Sequence, residues 1–65
     1  PTTLEIYDIR GRLVRRLWDG LLSAGGHSLR WDGRDESGAS VATGIYLSRL
    51  GYARETRVQK MLLLR

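Results

Sequence analysis

The stretch WDGRDESGASVATGIY, from Trp31 to Tyr46, decides the fold of this chain. It sets acidic residues and glycines between two aromatic residues, a composition that suits an ion-binding loop or a tight connection between strands. Glycine adopts positive φ, and aspartate accepts hydrogen bonds from backbone N–H groups two residues later, so Asp-Gly and Ser-Gly pairs favour turns. We predict a turn-rich loop between strands, anchored by Trp31, Asp32, Gly33, Asp35, Gly38, Gly44 and Tyr46.

The acidic residues of this loop do not match the EF-hand calcium template. That template needs oxygen ligands at the first, third and fifth positions and glycine at the sixth. Counted from Asp32, the third residue is Arg34 and the sixth is Ser37, and a count from Asp35 fails as well. A looser calcium site built from Asp32 and Asp35 is the remaining alternative, which the positive charge of Arg34 opposes.

Other common catalytic and metal sites lack their residues in this sequence. The chain contains no cysteine and one histidine, His27, whereas a zinc site needs three or four ligands. No phosphate-binding loop is present, and no serine stands at a spacing that suggests a catalytic triad with His27. We therefore predict no catalytic residue, no cofactor and no metal, and we interpret His27 as a solvent-facing residue at the start of a strand.

The length of 65 residues predicts a single domain, residues 1–65. A domain of this size buries only about 60% of its unfolded surface, so its stability depends on one compact core or on a neighbouring domain. No run reaches the ~18 apolar residues of a membrane span, and we expect no signal peptide within these residues. Because the chain starts at Pro1, we expect it to be part of a longer protein, with any export signal upstream.

Glycines divide the chain into short runs that predict β-structure. Leu4 and Ile6 alternate with polar neighbours, as in a strand. The predicted strands are 2–9, 12–19, 27–32, 43–52 and 55–65, with a tight turn at 10–12. The second, Arg-rich strand is expected to contain a bulge or to be imperfectly one-sided. We expect Met61 to Leu64 to be buried on both faces. The predicted core residues are Leu4, Ile6, Leu17, Leu29, Trp31, Tyr46, Leu50, Met61 and Leu63.

The net charge of +4 raises the alternative of a nucleic-acid binder. Arg10, Arg12, Arg15 and Arg16 form the local basic cluster, and Trp18 follows it. Acidic residues stand close by in the sequence, so we interpret the cluster as a solvated strand face or a charged, protected sheet edge. We expect no nucleic-acid partner, and a small basic β-barrel that binds nucleic acid is kept as an alternative.

Three runs in this order resemble a known family: IYDIRGRLVRRL, SAGGHSLRWDGRDESGASVATGIYLSRL and TRVQKMLLLR. They are similar to the immunoglobulin-like domain of bacterial flagellar hook-capping proteins. They also resemble the related C-terminal modules of secreted bacterial proteins, including those with type IX secretion sorting tails. The resemblance covers nearly the whole chain. It is carried by Tyr7-Asp8 with Gly11, Gly26-His27, Trp31-Asp32-Gly33, Asp35, Gly38, Val41, Gly44 with Tyr46, and Lys60-Met61.

The resemblance implies an all-β fold, a small immunoglobulin-like antiparallel sandwich of about five to seven short strands, without catalytic activity. In the secreted proteins this module is C-terminal, which the basic and apolar ending here fits, so we expect a sorting, surface-attachment or domain-packing role. The expected partners are the rest of the parent polypeptide and export machinery or cell-surface components, outside a bacterial cell or on its surface. A scaffold domain of a hook-cap protein is the alternative. The sorting candidates are Lys60, Met61, Leu62, Leu63, Leu64 and Arg65.

Overall fold

The computed structural model describes residues 2–20, 30–52 and 54–64. Within these ranges the chain forms the strands β1 (Thr2–Asp8), β2 (Leu13–Gly20), β3 (Gly44–Tyr52) and β4 (Glu55–Leu63). The all-β prediction is confirmed. The additional strand predicted at 27–32 begins outside the described residues, and residues 30–32 are not in a strand. No described residue belongs to a helix that is long and apolar enough to cross a membrane.

The strands form one antiparallel sheet in the order β2-β1-β3-β4. The register places Leu4 opposite Leu50 and Tyr46 opposite Met61, so alternate residues of β1, β3 and β4 share one face of the sheet. That face carries Ile6 and Tyr46, which are 1% and 8% exposed, whereas its other apolar residues are half-buried. The second layer that a sandwich requires is not present among the described residues, so the predicted sandwich stays a prediction.

The connection between β1 and β2 follows from its local sequence. The carboxylate of Asp8 accepts hydrogen bonds from the backbone N–H groups of Arg10 at 2.9 Å and Arg12 at 3.0 Å. Gly11 between them has a φ of +83°, a conformation that residues with a Cβ adopt only with strain. The predicted tight turn is confirmed. The predicted bulge in β2 is confirmed as well, because its register with β1 shifts at two places.

The prediction that Met61 to Leu64 are buried on both faces is wrong. Met61 and Leu63 are half-buried on the core face, but Leu62 is 64% exposed and Leu64 is 73% exposed. A continuous apolar run is typical of a central strand, yet the strand order puts β4 at the edge of the sheet. Leu62 therefore lies on the opposite face, which no described element covers.

Candidate functional site

The loop from Trp31 to Tyr46 is tied to itself at both ends by its aromatic residues. The rings of Trp31 and Tyr46 meet edge to face, with centroids 5.1 Å apart and an interplanar angle of 69°. The indole Nε1 of Trp31 donates a hydrogen bond to the carbonyl of Arg34 at 2.9 Å. The hydroxyl of Tyr46 donates to the carbonyl of Ala42 at 2.6 Å. Each aromatic residue thus packs on the sheet through its ring and holds the loop backbone through its polar atom.

The carboxylates of this loop serve as acceptors for turn N–H groups. Asp32 accepts from the backbone of Arg34 at 3.1 Å. Asp35 accepts from the backbone N–H groups of Ser37 at 2.9 Å and Ala39 at 3.1 Å. The hydroxyl of Ser37 also donates to Asp35, and this bond is the main cause that lowers the pKa of the Asp35 carboxyl, with the Ala39 bond second. These contacts are the predicted Asx-turns.

The arrangement does not bring the weak calcium candidates together as a ligand set. Asp32 uses its Oδ1 for the guanidinium of Arg15, at 2.9 Å, as well as for a backbone N–H, and Asp35 caps its own turn. In the part of the chain that the structure describes, no three His, Cys, Asp or Glu side chains are grouped as metal ligands would be. Asp32 and Asp35 therefore act in the structure as turn caps.

Two of the loop glycines hold backbone conformations that require glycine. Gly33 and Gly38 have φ values of +76° and +88°. A Cβ added at Gly38 would meet nothing within 4 Å, so the requirement there comes from φ and not from space. The backbone N–H of Val41 donates to the carbonyl of Gly33 at 3.0 Å, next to an isolated antiparallel bridge between Arg34 and Ser40. The loop is thus a small, internally bonded hairpin.

This hairpin also covers the outer edge of β2. The backbone N–H of Glu36 donates to the carbonyl of Val14 at 3.1 Å, and the carboxylate of Glu36 accepts from the backbone N–H of Arg16 at 2.6 Å. Edge strands otherwise present unpaired backbone groups to solvent. No local pattern in the sequence marks Glu36, because its contact with Arg16 spans 20 positions. Glu36 is therefore a residue whose role only the structure identifies.

The sheet face beneath Trp31 forms an apolar hollow of about 430 Å³. Its floor is the core face of β1, β3 and β4, and Leu17 of β2 lies at its side. Most of the predicted core residues line it. The lining residues are Leu4, Ile6, Leu17, Trp31, Ser48, Leu50, Arg57, Gln59 and Met61. Of the other predicted core residues, Tyr46 is buried beside Trp31, Leu63 is half-buried on β4, and Leu29 lies outside the described residues.

The arginine cluster is largely neutralised by carboxylates. Three of its four members form ion pairs, which leaves little of a continuous basic surface for phosphates. The pairs are Arg12 with Asp8 at 3.4 Å, Arg15 with Asp32 at 2.9 Å, and Arg16 with Glu5 at 3.0 Å. The predicted interpretation of a charged, protected sheet edge agrees with this arrangement, since β2 is an edge strand.

Glu5 is the centre of a polar group on the other face of the sheet. It accepts hydrogen bonds from the Tyr7 hydroxyl at 3.0 Å and from the Nε of Arg16 at 3.1 Å. The hydrogen bond to Glu5 and its charge raise the pKa of the Arg16 guanidinium. Trp18 on the same strand is half-buried, and its Nε1 is buried, so it does not present an open ring with a free donor to a base. Neither feature favours nucleic-acid binding.

The sorting candidates lie on β4 and directly after it. Lys60 is exposed and faces Leu47 of β3 across the sheet, and Leu62 and Leu64 are exposed. Arg65 lies outside the described residues. The candidates on β4 therefore lie at the edge of the sheet, where Met61 pairs with Tyr46 and lines the hollow beneath Trp31.

A model of the FlgD Ig-like domain family matches residues 1–55, which include β1, β2, the whole loop and β3. The chain belongs to this family. The chain is also similar to the basal-body rod modification protein FlgD of Salmonella typhimurium (strain LT2), with 46% identity over 44 residues, or 68% of this chain. FlgD of Salmonella typhi is similar to the same extent.

The family assignment confirms the resemblance to the hook-capping Ig-like domain that the sequence motifs indicated. The match covers 19% of the length of each FlgD relative, so it concerns one part of those proteins. No solved structure gives a significant match to the chain. The sorting candidates Lys60 to Arg65 lie beyond the residues that the family model matches, and no relative named above is a type IX sorting protein.

Proposed function

We propose that this chain is a non-catalytic scaffold module of a larger, exported flagellar protein, with the role of the Ig-like domain in a hook cap. The observation that carries the proposal is the match of residues 1–55 to the FlgD Ig-like domain family, because it spans the loop that shapes the fold. The FlgD relatives are five times longer than the matched part or more, so the parent polypeptide is the first partner that we propose. We place the module outside the cytoplasm, as part of an exported assembly.

The chemistry of the loop supports a structural role. Its polar groups are engaged in holding the backbone: the Trp31 indole, the Tyr46 hydroxyl and the Asp35 carboxylate each bond to a loop residue. Catalysis would require a nucleophile, a base and an orienting group that converge on open space. The groups of this loop instead close its own turns, which makes the loop a rigid connection.

The apolar hollow supports the proposal that the module is one layer of an immunoglobulin-like sandwich. A sheet with one apolar face needs a second layer to bury that face. Leu4, Leu50 and Met61 are only half-buried on the floor of the hollow, so they gain further burial when a second layer packs on them. We propose that further residues of the polypeptide supply this layer.

The sorting role that the resemblance to secreted modules implied is less well supported. It rests on the ending Lys60 to Arg65 alone, and the comparisons favour the flagellar scaffold. An export assay on the parent protein with Lys60→Ala tests it, since Lys60 is exposed and its loss should leave the fold intact. Normal export of that variant would remove the sorting hypothesis.

A domain exchange tests the scaffold role. The Ig-like part of FlgD from Salmonella typhimurium is replaced by this chain, and the chimera is expressed in a strain that lacks its own FlgD. We expect hooks to assemble, measured by electron microscopy and by swimming. The matched control carries Ile6→Asp, which puts a charge at a position that is 1% exposed and unfolds the module.

The two chimeras separate a folded scaffold from a passive linker. If the Ile6→Asp chimera assembles hooks as well as its parent chimera, a folded module is not needed and the scaffold proposal fails. The proposal also fails if the parent chimera is exported, protease resistance shows that it is folded, and no hooks form.

A further inference from the structure

The two edges of the sheet are protected to very different degrees. β2 and β4 are the edge strands, and each has one side that no neighbouring strand of the sheet covers. Such a side offers a row of backbone N–H and C=O groups to any extended chain of fitting shape. The less covered of these two outer sides is therefore the one on which an additional strand can pair.

The β2 edge is closed. Its register with β1 is shifted at two places, so it does not present a regular row of backbone groups. In addition, Glu36 occupies two of its backbone positions, the carbonyl of Val14 and the N–H of Arg16. Bulges and a covering loop are known means by which proteins prevent edge pairing.

The β4 edge has neither protection. Its nine residues, Glu55–Leu63, pair with β3 in a single unbroken register. Within residues 2–20, 30–52 and 54–64, no loop forms a backbone hydrogen bond to its outer side. The strand contains no proline or glycine, and its exposed apolar residues include Val58 at 61% and Leu62 at 64%. A long, regular strand of this kind favours the addition of another strand.

We propose that β4 is a homotypic docking edge, on which a second copy of this chain pairs its own β4 in antiparallel orientation about a two-fold axis at Gln59. Gln59 is the middle residue of Glu55–Leu63, so this register pairs every residue of both strands. A two-fold axis makes the contact self-complementary and closed. The two sheets then continue into each other, and the inference is independent of the proposed flagellar role.

The charges along β4 agree with this register. Around Gln59, Arg57 stands opposite the partner's Met61, and Val58 stands opposite the partner's Lys60. No two like charges are directly opposed in this register, so it carries none of the direct repulsion that destabilises antiparallel pairs. A register centred on Lys60 would set the two lysines directly against each other, and one centred on Val58 would leave the end of the strand unpaired.

The apolar residues of the outer face also gain from this pairing. Val58 and Leu62 lie on the face opposite the hollow, where Leu62 pairs across the sheet with Ile45, itself 45% exposed. A second β4 would cover one flank of these side chains, with the stem of the partner's Lys60 against Val58. The exposed side chains of Val58, Leu62 and Ile45 thus become part of one surface that continues across both sheets.

Cysteine cross-linking tests the register, and the chain suits it because it contains no cysteine. In the full-length chain, Gln59→Cys places the two thiols opposite each other at the axis. Paired Cα atoms of antiparallel strands are about 4.5–5.5 Å apart, which a disulfide can bridge. We expect a disulfide-linked dimer under mild oxidation. In the matched control Thr56→Cys, each new cysteine faces the partner's Leu62. We expect this variant to form no disulfide-linked dimer.

A second measurement guards against accidental cross-links. Sedimentation of the unmodified chain should show a monomer–dimer equilibrium. Val58→Glu should shift this equilibrium toward the dimer, since the new carboxylate faces the partner's Lys60. Val58→Lys should shift it toward the monomer, with circular dichroism to verify that both variants fold. The proposal would be overturned if the chain stayed monomeric at all concentrations, or if it formed cross-links equally at residues 56 and 59. It would also be overturned if β4 paired only with an acidic strand of another protein.

Discussion

The rings of Trp31 and Tyr46 meet edge to face across the two ends of one loop, with centroids 5.1 Å apart. This contact closes a connection whose ends are 15 positions apart in the sequence and holds it against the sheet. Each residue also holds the loop backbone, because Trp31 donates a hydrogen bond to the carbonyl of Arg34 and Tyr46 donates one to the carbonyl of Ala42. The pair therefore joins the packing of the core to the backbone geometry of the loop.

Tyr46→Phe should lower the free energy of unfolding by about 1 kcal/mol, the usual effect of losing one hydrogen bond. The ring and its contact with Trp31 remain, so the loss reports on the bond to the Ala42 carbonyl alone. Urea denaturation measures the change. Tyr52→Phe is the matched control, because Tyr52 is 39% exposed and its hydroxyl has no partner among the described hydrogen bonds. Equal losses in both variants would contradict the role given to Tyr46.

Gly38→Ala should destabilise the chain by about 1 kcal/mol, because its φ of +88° is strained for a residue with a Cβ. The added methyl group meets nothing within 4 Å, so the loss is one of backbone conformation and not of crowding. Gly38→Asn should lose less, since asparagine enters this region more readily than alanine. Thermal denaturation of the two variants gives the comparison. If alanine were tolerated better than asparagine, the explanation from φ would be wrong.

Stability should fall in acid as Asp8 and Asp35 become protonated. The N–H of Arg12 is the main cause that lowers the pKa of Asp8, and the Ser37 hydroxyl is the main cause for Asp35. A carboxyl whose pKa is lowered on folding contributes stability above its unfolded pKa of about 3.9 and loses it as the pH falls through the folded value. Denaturation midpoints should therefore drop as the pH falls below about 4.

Asparagine variants assign this acid sensitivity. Asp8→Asn and Asp35→Asn each remove one titrating group and keep a side-chain oxygen for the turn. Each variant should be less stable than the natural chain at neutral pH and should show a smaller drop in midpoint in acid. An unchanged drop in both variants would mean that other carboxylates cause the acid sensitivity.

Glu36→Ala should expose the β2 edge. The backbone N–H of Arg16 loses its carboxylate acceptor at 2.6 Å, so its hydrogen exchange should speed up about fivefold, as expected for one lost hydrogen bond. Glu36→Gln keeps an acceptor oxygen and should change the exchange less. Exchange followed by NMR at Arg16, with Ile6 as an internal reference in the core, gives the measurement. Unchanged protection at Arg16 in the alanine variant would show that Glu36 does not cover this edge.

Much of the local structure could be predicted from the sequence, because its causes are local. The turn at Gly11, the positive φ of Gly33 and Gly38 and the Asx-turns of Asp32 and Asp35 each depend on residues within a few positions. The inward placement of Ile6 and Tyr46 follows from the two-residue period of a strand. Residue types and their spacing were sufficient there.

The strand order could not be predicted in the same way. The run from Met61 to Leu64 has the composition of a central strand, yet β4 lies at the edge and Leu62 is exposed. The burial of a strand depends on which neighbours flank it, and the choice of neighbours is a property of the whole sheet. The same reason explains why the contact of Glu36 with β2 was missed.

The sequence by itself determined the all-β class and the turns, since each is expressed in residue types at short spacing, and its motifs resembled the family to which the chain belongs. The tertiary structure alone decided which edge of the sheet the loop covers. Glu36 covers β2 from a loop that is distant in the sequence, whereas β4 is regular and no residue in the described ranges bonds to its outer side. Hydrogen bonds between distant segments depend on where the chain has folded to, and no local pattern of residues records that position.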